Sequence, residues 1–354
     1  MGFRPFEILL RGMLSEKEKI ESIFKKTAKI VDPVINELLD LYVSRKRQTL
    51  VRYQISTGGK RLRPALAILS VRLLGGKIKN VLYPAAGLEI LHNYSLIIDD
   101  IIDNSSLRRG SSTVWAKFGK SIAQCVAADY SAAVFQAANR SRGAKRMSEL
   151  FARTIKSIIN GEILDILFEQ AGREKDPYVL QNRYRDITER DYLEMVSQKT
   201  ATLFQASCEA GGICAGASSS KIKALRGYGF NLGMAFQISD DILDIFGQEE
   251  SFGKKIGKDI EERKLGNIII YFASQEFSPK EKKEFRQILR KKKIAPRDVK
   301  KAMSLIEKTR AKERAIHYGT KFSEKAKENL HFLPKNRYNN TLEAIADLVM
   351  KREK

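Results

Sequence analysis

Two short acidic clusters are the residues best placed to do chemistry. Asp99, Asp100 and Asp103 lie within LHNYSLIIDDIID, and Asp240, Asp241 and Asp244 lie within FQISDDILDIF. On an α-helix the outer two aspartates of each cluster fall one turn apart on one face, with the middle one beside them. Ile97, Ile98, Ile101 and Ile102 surround the first cluster, and Ile, Leu and Phe surround the second, so neither occupies an ordinary solvated face. Three like charges within one turn repel, and burying them is costly unless something positive is present. A hard divalent cation with oxygen ligands, usually Mg²⁺, meets that need. A solvated acidic turn competes as the reading of one cluster alone. Two copies ~140 residues apart, both in apolar helices, point instead to facing helices whose inward carboxylates hold metal.

Basic residues accompany them. Ser56-Thr57-Gly58-Gly59 reads as a loop, followed by Lys60, Arg61 and Arg63, with Pro64 opening the next helix. Glycines let a backbone approach an anion closely, and Lys and Arg at a helix entry suit a diphosphate. His92 lies two turns before Asp99 on nearly the same face, where a packed core histidine is the competing reading. Arg108 and Arg109 leave the Asp helix together and point in different directions, which lets them serve two anions. Gln237, one turn before Asp241, shares the acidic face. Phe252-Gly253-Lys254-Lys255 and Gly257-Lys258-Asp259 read as a flexible basic flap.

Taken in order, these motifs resemble the trans-polyprenyl diphosphate synthases, the family of the farnesyl and geranylgeranyl diphosphate synthases. The matching residues are Gly58-Gly59-Lys60-Arg61-Leu62-Arg63-Pro64, Asp99 to Asp103, Arg108-Arg109-Gly110, Lys199-Thr200, Phe236 to Asp244 and Gly257-Lys258-Asp259, spanning roughly residues 55–265. The resemblance implies the all-α isoprenoid synthase fold, a helical bundle around a central active-site cavity. It also implies Mg²⁺-dependent condensation of isopentenyl diphosphate with an allylic diphosphate in a homodimer, with three ions per site. Lys60, Arg63, His92 and Arg109 then hold isopentenyl diphosphate, while Arg108, Lys199 and Thr200 serve the allylic diphosphate. Lys254 and Lys258 reach phosphate oxygens as the flap closes. Asp99, Asp100, Asp103 and Asp240 act with Lys199 in catalysis, and all six aspartates are metal ligands. The departing diphosphate takes the proton, so no protein base is needed.

Tyr94 and Ser95, five and four residues before Asp99, are the family's chain-length positions. One bulky and one small residue imply a C20 product, geranylgeranyl diphosphate, with C15 and C25 as alternatives. The chain departs from the family twice. Ser111-Ser112 replaces the usual Lys-Pro, an expected loosening of that loop. Glu262-Arg263-Lys264-Leu265-Gly266-Asn267-Ile268 replaces a Glu-Gly-Lys-x-Thr-Leu-Pro-like run, which touches loop closure more than chemistry. That second departure is the main support for the rival reading, a weakly active or non-catalytic partner subunit of a heteromeric synthase. A class I terpene cyclase would lack the second Asp cluster and the glycine-rich basic loop.

The elements that must position these residues are helical. No Pro/Gly/Ser-rich linker divides the 354 residues and strand-like alternation is scarce, so one all-α domain over 1–354 is expected. Residues 16–50 read as a helix pair broken near Pro33, and residues 115–172 as helices with Ala-rich faces. Residues 172–190 read as a charged surface connection, and 279–354 as a basic helical region. Sixty-four Lys and Arg against 42 Asp and Glu give a net charge of +22. Attraction of polyanionic substrates and contact with an anionic membrane surface both fit that excess. Nucleic-acid binding does not, because aromatic interleaving and a recognisable binding module are missing. Cys125, Cys208 and Cys214 have neither metal-site spacing nor an even count and read as reduced core thiols of a cytoplasmic protein. The first residues carry no secretory signal pattern, and no run of 18 apolar residues occurs.

Overall fold

The computed structural model describes residues 15–247 and 256–351. Helix α1 (Glu16–Asp40) opens on a reciprocal capping box between Ser15 and Glu18 and buries Ile20, Val31, Ile35, Leu38 and Leu39. The expected break at Pro33 does not occur: α1 runs through it. Pro33 sits on the exposed side, so the carbonyl that it deprives of a helical donor faces water. The buried stripe meanwhile continues on both sides of it.

Helices α2 (Gln48–Ser56) and α3 (Leu62–Leu73) flank the Gly58-Gly59 loop, and Pro64 sits in the first turn of α3. Helix α4 (Leu82–Ile102) ends at the first Asp cluster. It buries Ala85, Ala86, Leu88, Ile90, Leu91 and Ile97, as its apolar sequence requires. A two-stranded ribbon follows, β1 (Leu107–Arg108) against β2 (Ser111–Ser112), antiparallel with Arg108 opposite Ser111. Then come α5 (Val114–Phe118), α6 (Lys120–Asn139), α7 (Ala144–Leu167), α8 (Pro177–Asn182) and α9 (Glu189–Val196). One π turn, Ser197–Ala201, joins α9 to α10 (Thr202–Cys214). Helix α11 (Ser219–Phe246) carries the second Asp cluster at its end. The remaining helices are α12 (Lys258–Glu261), α13 (Ile268–Glu276), α14 (Pro279–Leu289), α15 (Pro296–Ile306), α16 (Ala311–Leu330) and α17 (Arg337–Met350).

The expected all-α architecture is therefore the observed one. Among the described residues the Leu107–Ser112 ribbon is the sole sheet, and no helix is long and apolar enough to cross a membrane. One buried apolar cluster joins α1, α4, α6, α7 and α10, and a second joins α9, α11 and α13 to α16. A third ties α3 to α11, α16 and α17. The ends of α4 and α11 bring the two Asp clusters to the seam between the first two.

Candidate active site

At this seam α7 and the π turn come into backbone contact. A Cβ on Gly161 would fall 2.3 Å from the Lys199 backbone nitrogen, so glycine is required there. The widened turn presents Lys199 to α7, where its Nζ lies 2.5 Å from Glu162 and 2.8 Å from Asp165. Lys264 shares Asp165 with Lys199 and reaches two further carboxylates. It is 3.0 Å from Asp165, 3.1 Å from Glu262 and 3.4 Å from Asp103 at the end of α4. Burial raises the Asp165 carboxyl, but Lys199 and Lys264 outweigh it and hold the group below the usual carboxylate range. Glu162 is less well matched: burial pushes it up to about 8 despite Lys199, with Asp99 and Asp165 adding to the rise.

Each aspartate of the first cluster has its own setting. Asp100 is buried and takes both arms of Arg108, with Nε at 2.9 and 3.0 Å and the terminal nitrogen at 2.8 Å. Asp99 and Asp103 are half-buried. In the second cluster, Asp241 is enclosed. Its Oδ2 accepts from the Tyr192 hydroxyl at 2.8 Å and the Ile268 N–H at 2.9 Å, and its Oδ1 accepts from Gln237 at 2.9 Å. Thr200 in turn donates to Gln237 at 2.8 Å, which links the π turn to α11. Asp244 accepts from the N–H groups of Lys258 (3.0 Å) and Asp259 (3.2 Å). Burial and the neighbouring Asp259 nevertheless raise Asp241 and Asp244 well above the ordinary carboxylate range. Asp240 is half-buried beside them.

Among the described residues no three His, Cys, Asp or Glu side chains are gathered tightly enough to hold an ion between them. Lys199, Lys264 and Arg108 space the carboxylates instead. The donor chemistry still fits a hard divalent cation, because every acidic side chain offers oxygen and burial, followed by neighbouring carboxylates, raises Glu162 and Asp244, a shift that a bound cation would reverse.

The opposite imbalance lies a few turns up α4. Arg61, whose backbone is left-handed at φ 54°, is buried and structural. It holds Asp32 at 2.7 Å, Glu89 at 3.3 Å and the carbonyls of Gly58 and Ile55. Arg109 donates to the Gly58 carbonyl from a turn in which both Arg109 and Gly110 have positive φ. Gly59 lies between them at φ 139°, a backbone conformation that side-chain-bearing residues rarely adopt. Arg63 stacks on Phe204 at 4.8 Å, and its buried Nε has no hydrogen-bond partner. Burial and the adjacent Arg109 push Arg63 down to about 10. His92 faces the same cations, and burial followed by Arg63 and Arg109 drives it well below its usual value, so it is neutral at pH 7. Glu89 is the main anion acting on this group of arginines, which leaves a net positive recess.

The ribbon is also firmer than the serines suggested. The Tyr53 hydroxyl donates to the Ser112 carbonyl at 2.8 Å, and Thr113 and Trp115 both donate to Ser105 at 2.8 Å, so the expected loosening is not seen. Lys258 does not hang free in a flap. It starts α12, and its Nζ lies 2.9 Å from Glu262 and 3.3 Å from Ser105. Lys254 lies outside the described residues. Lys60 is exposed at the mouth of the loop. Sequence reading alone gave no role to Glu162, Asp165, Lys264, Tyr192 or Asn267. An acidic pair three residues apart on an apolar helix was the available signal for the first two. Nothing local marks Tyr192.

The family described as polyprenyl synthetase matches residues 45–306. A short chain isoprenyl diphosphate synthase of Methanothermobacter thermautotrophicus is 32% identical over 340 residues, 95% of this chain and 99% of its own length. A geranylgeranyl diphosphate synthase of Saccharolobus solfataricus is 37% identical over 308 residues, 84% of this chain and 88% of its own. The crystal structure of a geranylgeranyl pyrophosphate synthetase from Pyrococcus horikoshii superposes with a TM-score of 0.86 at 31% identity, covering 96% of this chain and all of the other. The molecule is a prenyltransferase of the all-α isoprenoid synthase class. The chain belongs to the polyprenyl synthetase family, and its activity is prenyl-chain elongation.

Proposed function

We propose that the enzyme joins isopentenyl diphosphate to allylic diphosphates and stops at C20, geranylgeranyl diphosphate. The observation carrying this reading is the pair of unbalanced fields along α4, one acidic and wanting cations, one basic and wanting an anion. A metal–diphosphate donor and a second diphosphate answer both at once. The six aspartates Asp99, Asp100, Asp103, Asp240, Asp241 and Asp244 are the ligands this reading gives Mg²⁺, with Arg108 orienting Asp100 and protein donors orienting Asp241 and Asp244. Bound there, Mg²⁺ would neutralise a leaving diphosphate. Arg108, Lys199, Thr200, Gln237 and Lys258 line the allylic side. Lys60, Arg63, Arg109 and neutral His92 line the isopentenyl side, the unpartnered Arg63 Nε among them.

The bond from the allylic carbon to the diphosphate oxygen breaks, and the isopentenyl double bond attacks that carbon. The new cation then loses a proton to the released diphosphate. The protein's part is to orient both diphosphates and exclude water. Tyr94, half-buried against the α4–α6 apolar cluster, is the floor that stops the growing chain, beside the smaller Ser95. Incubation with Mg²⁺, isopentenyl diphosphate and each allylic donor should give mainly C20. Tyr94→Ala should shift the product to longer chains by opening an apolar cavity. An unchanged product spectrum from an active variant would place the floor elsewhere, on α6 between Ala128 and Ala138.

The outer faces of α6 and α7 leave Ile122, Phe135, Ile159 and Ile163 each more than 40% exposed, which supports a homodimer through this face. A sedimentation mass near the 40.1 kDa of one chain would exclude it.

A further inference from the structure

The hairpin formed by α14 and α15 holds charge out of proportion to its length. Residues 279–301 contain eleven Lys and Arg against three Asp and Glu, which is eight of the chain's net +22. Three of the cations are paired: Arg286 with Asp186, Lys291 with Asp298 and Lys301 with Glu284. Lys283, Arg290, Lys292, Lys293, Arg297 and Lys300 are exposed and form no ion pair with any described residue. Apart from Asp298, the buried side of the hairpin is apolar. Phe285, Ile288, Leu289, Val299, Ala302, Leu305 and Ile306 are buried in the second core cluster, so the cations can only face outward.

The turn between the two helices is fixed from beneath. Arg263, in a left-handed backbone conformation at φ 64°, donates its Nε to the Lys291 carbonyl at 3.0 Å and a terminal nitrogen to the Lys292 carbonyl at 2.5 Å. The side chains of Lys292 and Lys293 are exposed on the turn that these bonds hold. An arginine at 263 thus makes a bond that the glycine usual in the resembled family has no side chain to make. The next residue, Lys264, is already in the active site.

We propose that this face docks on an anionic phospholipid bilayer. A dense set of unpaired cations on a rigid surface suits a layer of anionic headgroups, whose attraction grows with each added Lys or Arg. It does not suit single-stranded nucleic acid, because the segment's one aromatic ring, Phe285, is buried and none is left for base stacking. The choice of lipid rests on the proposed reaction, whose product is a long apolar chain on a diphosphate head and whose natural solvent is a bilayer.

The test is flotation of the full chain with vesicles of phosphatidylcholine alone or mixed equally with phosphatidylglycerol, at physiological salt. The wild type should float with the anionic vesicles and not the neutral ones. Lys292→Glu, Lys293→Glu and Lys300→Glu together should weaken that binding at least ~tenfold. Lys17→Glu, Lys19→Glu and Lys221→Glu together change the net charge equally, at exposed positions on α1 and α11, and should retain it. Equal loss in both triple variants would reduce the effect to overall charge and overturn the proposal. Retained binding in the first triple, or tighter binding to duplex RNA than to vesicles, would also overturn it. Prenyl transfer is measured separately without vesicles and should be normal in both variants, so a failure of docking and a failure of the catalytic reading register in different assays.

Discussion

Asp99→Ala and Asp240→Ala should each lower kcat/KM by at least ~10³-fold, about 4 kcal/mol of transition-state stabilisation, without lowering the melting temperature. Both side chains are half-buried at helix ends beside the seam, and neither belongs to a core cluster. Asp241→Ala is the informative contrast. It strands the Tyr192 hydroxyl and the Ile268 N–H in buried positions and the Gln237 amide in a half-buried one. Losing such partners costs roughly 1–3 kcal/mol per group, so this variant should melt early as well as lose activity. Turnover measured against Mg²⁺ concentration, alongside circular-dichroism melting, separates the two effects. Near-normal activity of Asp99→Ala and Asp240→Ala at limiting Mg²⁺ would end the two-cluster mechanism.

Lys264→Gln is the second variant with a large expected effect. Lys264 is 7% exposed and, among the described residues, is the one cation touching Asp103, Asp165 and Glu262 together. Removing one partner from a buried ion pair costs roughly 3–5 kcal/mol, because the remaining charge keeps its desolvation penalty. Here part of that cost returns when a divalent cation replaces the lost charge. The variant should therefore show a melting point several degrees low in metal-free buffer and partly restored by Mg²⁺, with turnover down ~10²-fold or more. A variant as stable as wild type without metal would show that Asp103, Asp165 and Glu262 do not depend on this lysine.

Position along one helix was legible in the sequence, and contact between helices was not. The aspartates on α4 and α11 and the basic loop before α3 declared themselves because each is a local pattern in an apolar or glycine-rich setting. The protein partners of each aspartate were not legible in that way. Whether an oxygen is spent on Arg108, on Tyr192 or on the N–H of Ile268 depends on elements far off in the chain. The run 262–268 reads as a family pattern with its Gly, Thr and Pro lost, yet the fold uses the substitutes. Arg263 fastens the α14–α15 turn, and Asn267 caps α13 through Ile269 and Ile270 while donating to Asp259 at 2.8 Å. Pro33 misled for the opposite reason. Its helix-breaking tendency is local, and the tertiary packing of α1 on both sides overrode it.

The reach of Lys264 has a further consequence, for the order in which the molecule assembles. Asp103 and Lys264 are 161 residues apart, whereas the apolar clusters also join helices adjacent in sequence, such as α6 with α7 and α14 with α15. Closing so long a loop is entropically slow, so the helices and their hydrocarbon contacts should be in place before this polar knot ties. On unfolding the sequence reverses. The knot should be among the first features to open, leaving a partly native, catalytically dead intermediate with its helical content nearly intact. Hydrogen exchange should then find the amides around residues 257–268 protected far less than those in the middle of α4 and α11, and metal with diphosphate should narrow that gap.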